Sequence, residues 1–352
     1  MILDELDVPI VLAPLAGGPS TPGLAAAVSE AGALGFVAAG YLTASSLHDR
    51  LAETRRLTSR PIGVNVFAPG SPADPASYQP FVDRLQEEAV RIGVELGRPR
   101  HDDDDWEAKL GVLLQDPVPV VSFTFGCPPA QLQARLRAAG SEVWITVTSP
   151  DEAREAARVG ADALVVQGAE AGGHRGSFRD REDLPVCGLL PLLQLVGEAV
   201  DLPLVAAGGI GSGRAIAAVL SAGARAAQLG TAFLRCPEAG TADVHRSALG
   251  SDAGTTLTRA FTGRLARGIR NRFMDVHGAQ APIAYPELHH VTAPLRAAGR
   301  ASGDPDLVNL WAGEAHRLAE ELPAGELVEK LAQHARSALA AAARRLGTST
   351  KA

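Results

Sequence analysis

The chain has 352 residues, a length that predicts about two domains and a large core. Hydrophobic residues make up 46% of it and charged residues 21%, which is ordinary for a globular protein. A net charge of −7 argues against a broad nucleic-acid-binding surface, and three cysteines without a CxxC pair argue against a disulfide framework or a structural zinc site.

The start of the sequence carries no sign of an export signal. Met1 is followed by Ile2-Leu3-Asp4-Glu5, where a signal peptide would have basic residues. No apolar run reaches the ~18 residues that a membrane span needs. We therefore expect a cytoplasmic protein that binds neither a membrane nor a nucleic acid.

Short apolar runs alternate with helical patterns from the N-terminus onward. Eight strands are predicted, at 8–13, 35–39, 61–67, 119–125, 143–148, 163–166, 203–207 and 226–229. Helices are predicted between them at 22–31, 44–58, 129–139, 150–159, 188–200 and 213–222, with Thr21 and Ser149 as N-caps. Eight such units predict a (β/α)8 TIM barrel, because a doubly wound sheet rarely sustains so many.

Two segments interrupt this alternation. A Pro-rich loop and helical patterns at 78–96 and 102–114 follow the third strand. After Thr231, helical patterns at 242–249, 289–298, 304–322 and 326–346 continue without strands. We expect 69–111 and 241–346 to form a helical cap over a barrel made of 1–68 and 112–240, and 347–352 to be a disordered tail.

The stretch after the sixth strand, Gln167 to Gly176, is rich in glycine. Glycine lets a backbone turn tightly and approach a ligand closely. The same stretch contains Glu170, His174 and Arg175. Since TIM-barrel active sites lie at the C-terminal ends of the strands, this loop is predicted to belong to one, with His174 as its functional imidazole.

The other strand ends carry amides, hydroxyls and glycines. The seventh and eighth strands run into Gly208-Gly209 and Gly230-Thr231, and each of these loops leads into a helix or short turn. Such loops offer backbone N–H groups to an anion, often a phosphate. A flat cofactor with one phosphate therefore fits this end better than a free metal.

Several residues keep two interpretations. For His174, a role in packing alone is the weaker alternative to a role in function. Glu170 is expected to orient its loop by accepting hydrogen bonds from backbone N–H groups. Cys127 is expected to be a small, buried side chain that fills space. Trp311 either closes over the pocket or anchors the cap.

Two further motifs have a simple interpretation and a more specific one. The glycines from Gly209 to Gly213 could bind a dinucleotide, but they follow a barrel strand, so a single phosphate is favoured. The acidic run Asp102 to Asp105 could hold a metal, but a solvated helix N-terminus is favoured.

These motifs carry a family resemblance. The runs Gln167 to Gly176, Ala207 to Ile210 and Gln228 to Thr231 are similar to those of the nitronate monooxygenases, once called 2-nitropropane dioxygenases. The similarity spans Pro9 to about Glu314, and it includes Ala13-Pro14, Asn65, Phe261 to Arg267, and Asn271. One departure is Leu15, where many relatives have methionine; the resemblance implies that this changes packing against a flavin without abolishing its binding.

The resemblance implies an FMN-dependent oxidation of alkyl nitronates by dioxygen to a carbonyl compound and nitrite. It implies that His174 faces the substrate and is the catalytic residue. The FMN site that it implies consists of Ala13, Pro14, Asn65, Gln167, Gly172, Gly173, Gly208, Gly209, Gln228, Leu229, Gly230 and Thr231.

Three questions stay open at this point. A flavin-dependent enoyl-thioester reductase is the alternative enzyme, since it has a similar Glu-Ala-Gly-Gly-His motif; Gln167 and the run Phe261 to Arg267 favour the monooxygenases. A non-catalytic flavin-binding protein is a third class. Neither the physiological substrate nor the choice between monomer and homodimer follows from the sequence.

Overall fold

A computed structural model describes residues 1–347 of the chain. Its strands are β1 (Ile10–Leu12), β2 (Gly35–Ala38), β3 (Ile62–Phe67), β4 (Val120–Thr124), β5 (Glu142–Val147), β6 (Ala163–Gln167), β7 (Gly173–His174), β8 (Leu204–Ala207), β9 (Ala226–Leu229), β10 (Thr255–Thr258) and β11 (Ala266–Ile269). Its α-helices are α1 (Ile2–Glu5), α2 (Pro22–Glu30), α3 (Ala44–Leu57), α4 (Pro75–Ile92), α5 (Trp106–Gln115), α6 (Ala130–Ala138), α7 (Pro150–Val159), α8 (Leu189–Ala199), α9 (Gly213–Ser221), α10 (Asp243–Leu249), α11 (Arg272–His277), α12 (Glu287–Ser302) and α13 (Ala324–Arg345). Short 3-10 helices lie at Thr231–Phe233, Gly278–Gln280, Pro305–Leu307 and His316–Leu318.

Eight of the strands form a ring of parallel neighbours. Their order is β1-β9-β8-β6-β5-β4-β3-β2. The ring closes between the two ends of this order, since Leu12 N donates to Leu34 O at 2.9 Å and Leu34 N donates to Ile10 O at 3.0 Å. The predicted (β/α)8 TIM barrel is thereby confirmed.

Apolar side chains fill the interior of the barrel at one end. Val11, Phe36, Trp144, Val165 and Val205 belong to one buried cluster, and Ile2 of α1 packs against it. Ile2 N also donates to Glu142 Oε1 at 2.7 Å, which fixes α1 to that end of the barrel. The opposite end, where the strands finish, is left open for a ligand.

The predicted helix starts in the barrel are confirmed. Thr21 Oγ1 accepts a hydrogen bond from Leu24 N at 3.0 Å, and Ser149 Oγ accepts one from Glu152 N at 3.2 Å. In both helices proline occupies the first turn, where a missing N–H costs nothing.

The prediction that the segment after Thr231 lacks strands was wrong. β10 and β11 form an antiparallel hairpin, and β11 also pairs with β7, placing Ala266 opposite His174. The helix predicted over 304–322 was also wrong, because that stretch consists of two 3-10 turns joined by extended chain. The third strand of this small sheet comes from a loop far away in sequence, so no local pattern indicates it.

The remaining helices pack in two places. α4 and α12 share a buried cluster with the Phe261 and Phe273 rings, apart from the barrel core. α13 packs against α2 and α9 on the outside of the barrel, and its Leu327 and Leu331 belong to the barrel core.

The division into barrel and cap at the predicted boundaries stays a prediction. Residues 348–352 of the predicted tail lie outside the described residues. Within residues 1–347, no helix is both long and apolar enough to cross a membrane.

Candidate active site

A cavity of about 650 Å³ lies at the C-terminal ends of the barrel strands. It brings together nearly every site residue predicted from the sequence: Ala13, Pro14, Asn65, Gln167, Gly172, Gly173, His174, Gly208, Gly209, Gln228, Gly230 and Thr231. Leu229 is the exception, because its side chain lies in the core, 1% exposed. Strand alternation explains this, since Gln228 and Leu229 must face opposite sides of β9.

Two loops of the cavity wall offer unpaired backbone N–H groups. Within residues 1–347, the backbone N–H groups of Gly209, Gly211 and Thr231 have no hydrogen-bond acceptor. Gly208 and Gly209 have φ angles of 114° and 67°, a region of backbone conformation that favours glycine. The Thr231 hydroxyl accepts from Gly313 N at 3.0 Å and keeps its own proton to donate. These groups together can hold one phosphate.

Two amide side chains face the cavity with free hydrogen-bonding groups. Asn65 Nδ2 donates to Ser122 Oγ at 2.9 Å and to Thr124 Oγ1 at 3.0 Å, which holds the side chain in place. Its Oδ1 keeps no partner in the described part of the chain and can accept from a ligand. The Gln228 side chain likewise has no described partner. Both side chains can form hydrogen bonds with the polar edge of a heteroaromatic ring.

Gln167 holds the loop that carries His174. Its Nε2 donates to His174 O at 3.0 Å, and its Oε1 accepts from Gly176 N at 2.8 Å. Only one of its N–H groups remains for a ligand. This residue was predicted to bind the cofactor, and its geometry gives it the further task of positioning His174.

Three buried arginines hold the same loop through hydrogen bonds to its carbonyl groups. Arg175 Nη1 donates to Gly168 O at 2.7 Å, Arg264 Nε to Arg175 O at 3.3 Å, and Arg267 Nε to Ala169 O at 2.9 Å. Two of them belong to the run Phe261 to Arg267, which therefore supports the site.

Gly172 is required by a close approach of two backbones. A Cβ atom at this position would lie 2.5 Å from Ala312 C and from Gly313 N. The chain after Trp311 can therefore pass directly over the loop, where Glu314 N donates to Glu170 O at 3.0 Å.

His174 stands among aromatic rings at the cavity wall. The centroids of Phe125, Tyr285 and Trp311 lie 5.8, 5.5 and 5.5 Å from that of its imidazole. Its Nε2 is 2.9 Å from Thr262 Oγ1. Burial, with the positive charges of Arg264 and Arg296, lowers the pKa of His174 to about 3, so the imidazole is neutral at ordinary pH.

Two other histidines of the cavity wall are also neutral. Burial lowers the pKa of His245 to about 4, although its Nε2 lies 3.0 Å from Trp311 O. Burial and the charge of Arg296 lower the pKa of His289 to about 2. The ring of His289 stacks on Tyr41, with the centroids 4.3 Å apart.

This neutrality predicts acid lability. From pH 6.5, the ordinary histidine pKa, down to about 4, the unfolded chain takes up a proton at His245 while the folded protein does not. Acidification over that window therefore lowers the free energy of unfolding, by at most ~1.4 kcal/mol per pH unit for each such histidine. Urea unfolding at pH 7 and pH 5 should show a smaller loss for His245→Asn than for the wild type. Equal losses would contradict the neutral state of His245.

Sequence reasoning missed the side of the cavity formed by Tyr41, His289 and Arg296. The Tyr41 hydroxyl accepts from that of Tyr285 at 3.1 Å, and burial raises the pKa of Tyr41 to about 12. Tyr41 also has a φ angle of 66°, which is rare for a side chain of its size. Tyr41 lies three residues after the end of β2, and this place near a strand end is the sequence signal that could have indicated it.

The structure gives the contacts of Glu170, Cys127 and Trp311, three residues that had two interpretations. The Glu170 carboxylate accepts from Leu189 N at the start of α8, which confirms its structural role. Cys127 does not line the cavity, and burial raises the pKa of its thiol to about 12. Trp311 lines the cavity, and its ring packs against that of Phe261, with the centroids 5.7 Å apart.

The acidic run Asp102 to Asp105 is more than a solvated helix start, which corrects that expectation. Asp104 Oδ1 accepts from Tyr41 N at 2.8 Å, Asp105 Oδ2 accepts from Ala44 N at 2.7 Å, and Asp102 Oδ2 lies 2.6 Å from His290 Nε2. The first two contacts fasten the insertion to the barrel, and the third joins it to α12. No cluster of metal-binding side chains occurs within the described ranges.

Comparison with solved structures gives the class of this protein. The crystal structure of nitroalkane oxidase from Streptomyces ansochromogenes superposes with a TM-score of 0.95 at 53% identity, covering 97% of this chain and 99% of that one. FabK from Thermotoga maritima superposes with a TM-score of 0.73 at 26% identity, covering 98% and 97%. Fold and site together define a TIM-barrel flavoenzyme.

Sequence comparison narrows the class to a family. The model of the nitronate monooxygenase family matches residues 2–334. A nitronate monooxygenase of Pseudomonas aeruginosa is 41% identical over 93% of this chain and 96% of its own length. A probable nitronate monooxygenase of Staphylococcus aureus is 36% identical over 93% and 94%. The chain belongs to the nitronate monooxygenase family and is an oxidoreductase, which confirms the resemblance seen in its motifs.

Proposed function

We propose that this enzyme binds one FMN and oxidises alkyl nitronates with dioxygen to a carbonyl compound and nitrite. The observation that carries the proposal is the pairing of a one-phosphate cradle with a neutral, cavity-facing imidazole, His174. The 53% identity to a nitroalkane oxidase supports it, and the more distant FabK gives less support to the enoyl-thioester reductase.

The donor set fits FMN. The unpaired amides of Gly209, Gly211 and Thr231 suit a single phosphate. Asn65 Oδ1 and the Gln228 amide suit the polar edge of the ring system. When bound, FMN supplies the electron transfer between substrate and dioxygen, and the protein supplies placement and electrostatics.

His174 is suited to an anionic substrate. Thr262 Oγ1 can either donate to His174 Nε2 or accept from it, since it also lies 3.3 Å from Arg264 O. The imidazole can thus present N–H or a lone pair at Nδ1 to the cavity. The N–H form donates to a nitronate oxygen, and the lone-pair form accepts the α-proton of a neutral nitroalkane.

The preformed nitronate should be the better of the two substrates. An imidazole with a pKa of about 3 is a weak base, so removal of a proton from a neutral nitroalkane is slow. Hydrogen bonding to an existing anion has no such requirement. Steady-state kinetics should be measured with the neutral nitroalkane and with its preformed nitronate. The value of kcat/KM should be higher for the nitronate.

An anaerobic titration tests the reaction class. We expect the purified protein to be yellow and to release FMN on heating. A small alkyl nitronate should bleach the flavin absorbance without oxygen, whereas NADH and NADPH should reduce it poorly. Rapid reduction by NADPH coupled to reduction of an enoyl thioester would establish the alternative enzyme, and no bleaching by any of them would favour a binding protein.

A further inference from the structure

Arg296 is a buried cation without an acidic partner. Its side chain is 6% exposed and lines the cavity. Nε donates to Thr292 Oγ1 at 3.2 Å and Nη2 donates to His289 O at 2.6 Å, so the guanidinium is held in one orientation. Across the described residues 1–347, no carboxylate pairs with it, and Nη1 has no acceptor.

An isolated buried charge is unfavourable unless something compensates it. Burial lowers the pKa of Arg296 to about 10, which leaves it charged at neutral pH. Asp104, which contacts Tyr41 on this side of the cavity, cannot compensate it, because Asp104 Oδ2 already lies 2.8 Å from Lys109 Nζ. The structure therefore presents a fixed positive charge toward the ligand space.

Arg300 extends this charge toward the cavity mouth. It follows Arg296 by four residues on α12, which places both side chains on one face of the helix. It also lines the cavity, it is exposed, and it pairs with no carboxylate in the part of the chain that is described. Because the whole chain carries −7, these two charges are opposite in sign to the net charge of the molecule.

We propose that Arg296 binds the nitronate anion of the substrate and that Arg300 attracts it into the cavity; this inference rests on the proposed function. A nitronate group is planar and spreads its charge over two oxygens, as a carboxylate does. A guanidinium matches that geometry with parallel N–H groups. The pair would make the enzyme selective for the anion over the neutral nitroalkane.

Arg296 is placed to act beside His174. The His289 ring, whose carbonyl holds Arg296, stacks on Tyr41. Tyr41 is hydrogen-bonded to Tyr285, and the Tyr285 ring lies 5.5 Å from that of His174. A nitronate bound to Arg296 would thus lie in the cavity that His174 also lines.

Substitution of Arg296 in the holoenzyme tests the proposal. Arg296→Met should raise KM for the nitronate on the order of 10- to 100-fold, the usual range for a lost charge-assisted hydrogen bond, with a smaller change in kcat. KM for the neutral nitroalkane should stay near the wild-type value. Arg296→Lys should restore part of the loss. Binding of nitrate, a planar oxyanion that is not turned over, should weaken in the same order by isothermal titration calorimetry.

Two further variants test the role of Arg300 and control for the change in net charge. Arg300→Met, at an exposed position, should lower kcat/KM for the nitronate at low ionic strength and lose that effect at high salt. Arg344→Met, at an exposed position of α13 away from the cavity lining, makes the same change in net charge and should have no effect.

The outcomes separate the two proposals. If Arg296→Met bound nitrate and nitronate as tightly as the wild type, the anion site would be wrong. Equal increases in KM for the nitronate and the neutral nitroalkane would also overturn it, because they would indicate a structural role. If Arg296→Met does not fold, the absence of a salt-dependent effect in Arg300→Met would overturn it. If the wild type does not turn over nitronate but binds nitrate through Arg296, the anion site stands and the proposed function fails.

Discussion

Gly209→Val should strongly weaken the binding of FMN. Valine is β-branched and would have to adopt a φ angle of 67°, and its Cβ would lie 2.9 Å from Glu170 Cβ. Backbone strain of this kind is worth about 1–3 kcal/mol, and relieving it would turn the loop amides away from the phosphate. We expect FMN affinity to fall on the order of 10²-fold, measured by flavin fluorescence during titration of the apoprotein.

Gly111→Val is the matched control. Gly111 lies in α5 with no atom near its would-be Cβ, and its backbone does not require glycine. The control should retain FMN and fold normally by circular dichroism. If Gly209→Val held FMN as tightly as the wild type, the assignment of this loop to the phosphate would be wrong.

His174→Asn should retain FMN and lose activity. The cofactor groups proposed here are backbone amides and the side chains of Asn65 and Gln228, none of which depends on the imidazole. Turnover of neutral nitroalkane should fall by a factor on the order of 10² or more, the usual effect of losing a general base. The loss with the nitronate should be smaller and should appear mainly in KM, because an amide can still donate one hydrogen bond.

Flavin content and steady-state kinetics with both substrate forms check this result. His48→Asn, at an exposed position of α3, is the control for the same substitution outside the cavity. Thr262→Val should shift activity in the same direction as His174→Asn, since it removes the hydroxyl that contacts Nε2. Full activity of His174→Asn toward both substrates would show that His174 is structural.

Local sequence predicted the barrel closely. The strands and the helices that alternate with them follow apolar periodicity and capping residues, and Thr21 and Ser149 cap the helices they were expected to cap. The glycine loops and His174 were also identified locally, because a TIM barrel brings the C-terminal ends of its strands to one face whatever the details of packing.

Only the tertiary structure decided which groups surround the ligand space on the side of α12. β7 pairs with β11 across more than eighty residues of sequence, and Arg296 reaches the cavity because α12 packs on α4. Neither contact leaves a periodic signal in the sequence. The neutral state of His174 has the same origin, since its pKa depends on burial and on Arg264 and Arg296, which the chain brings to it from distant positions.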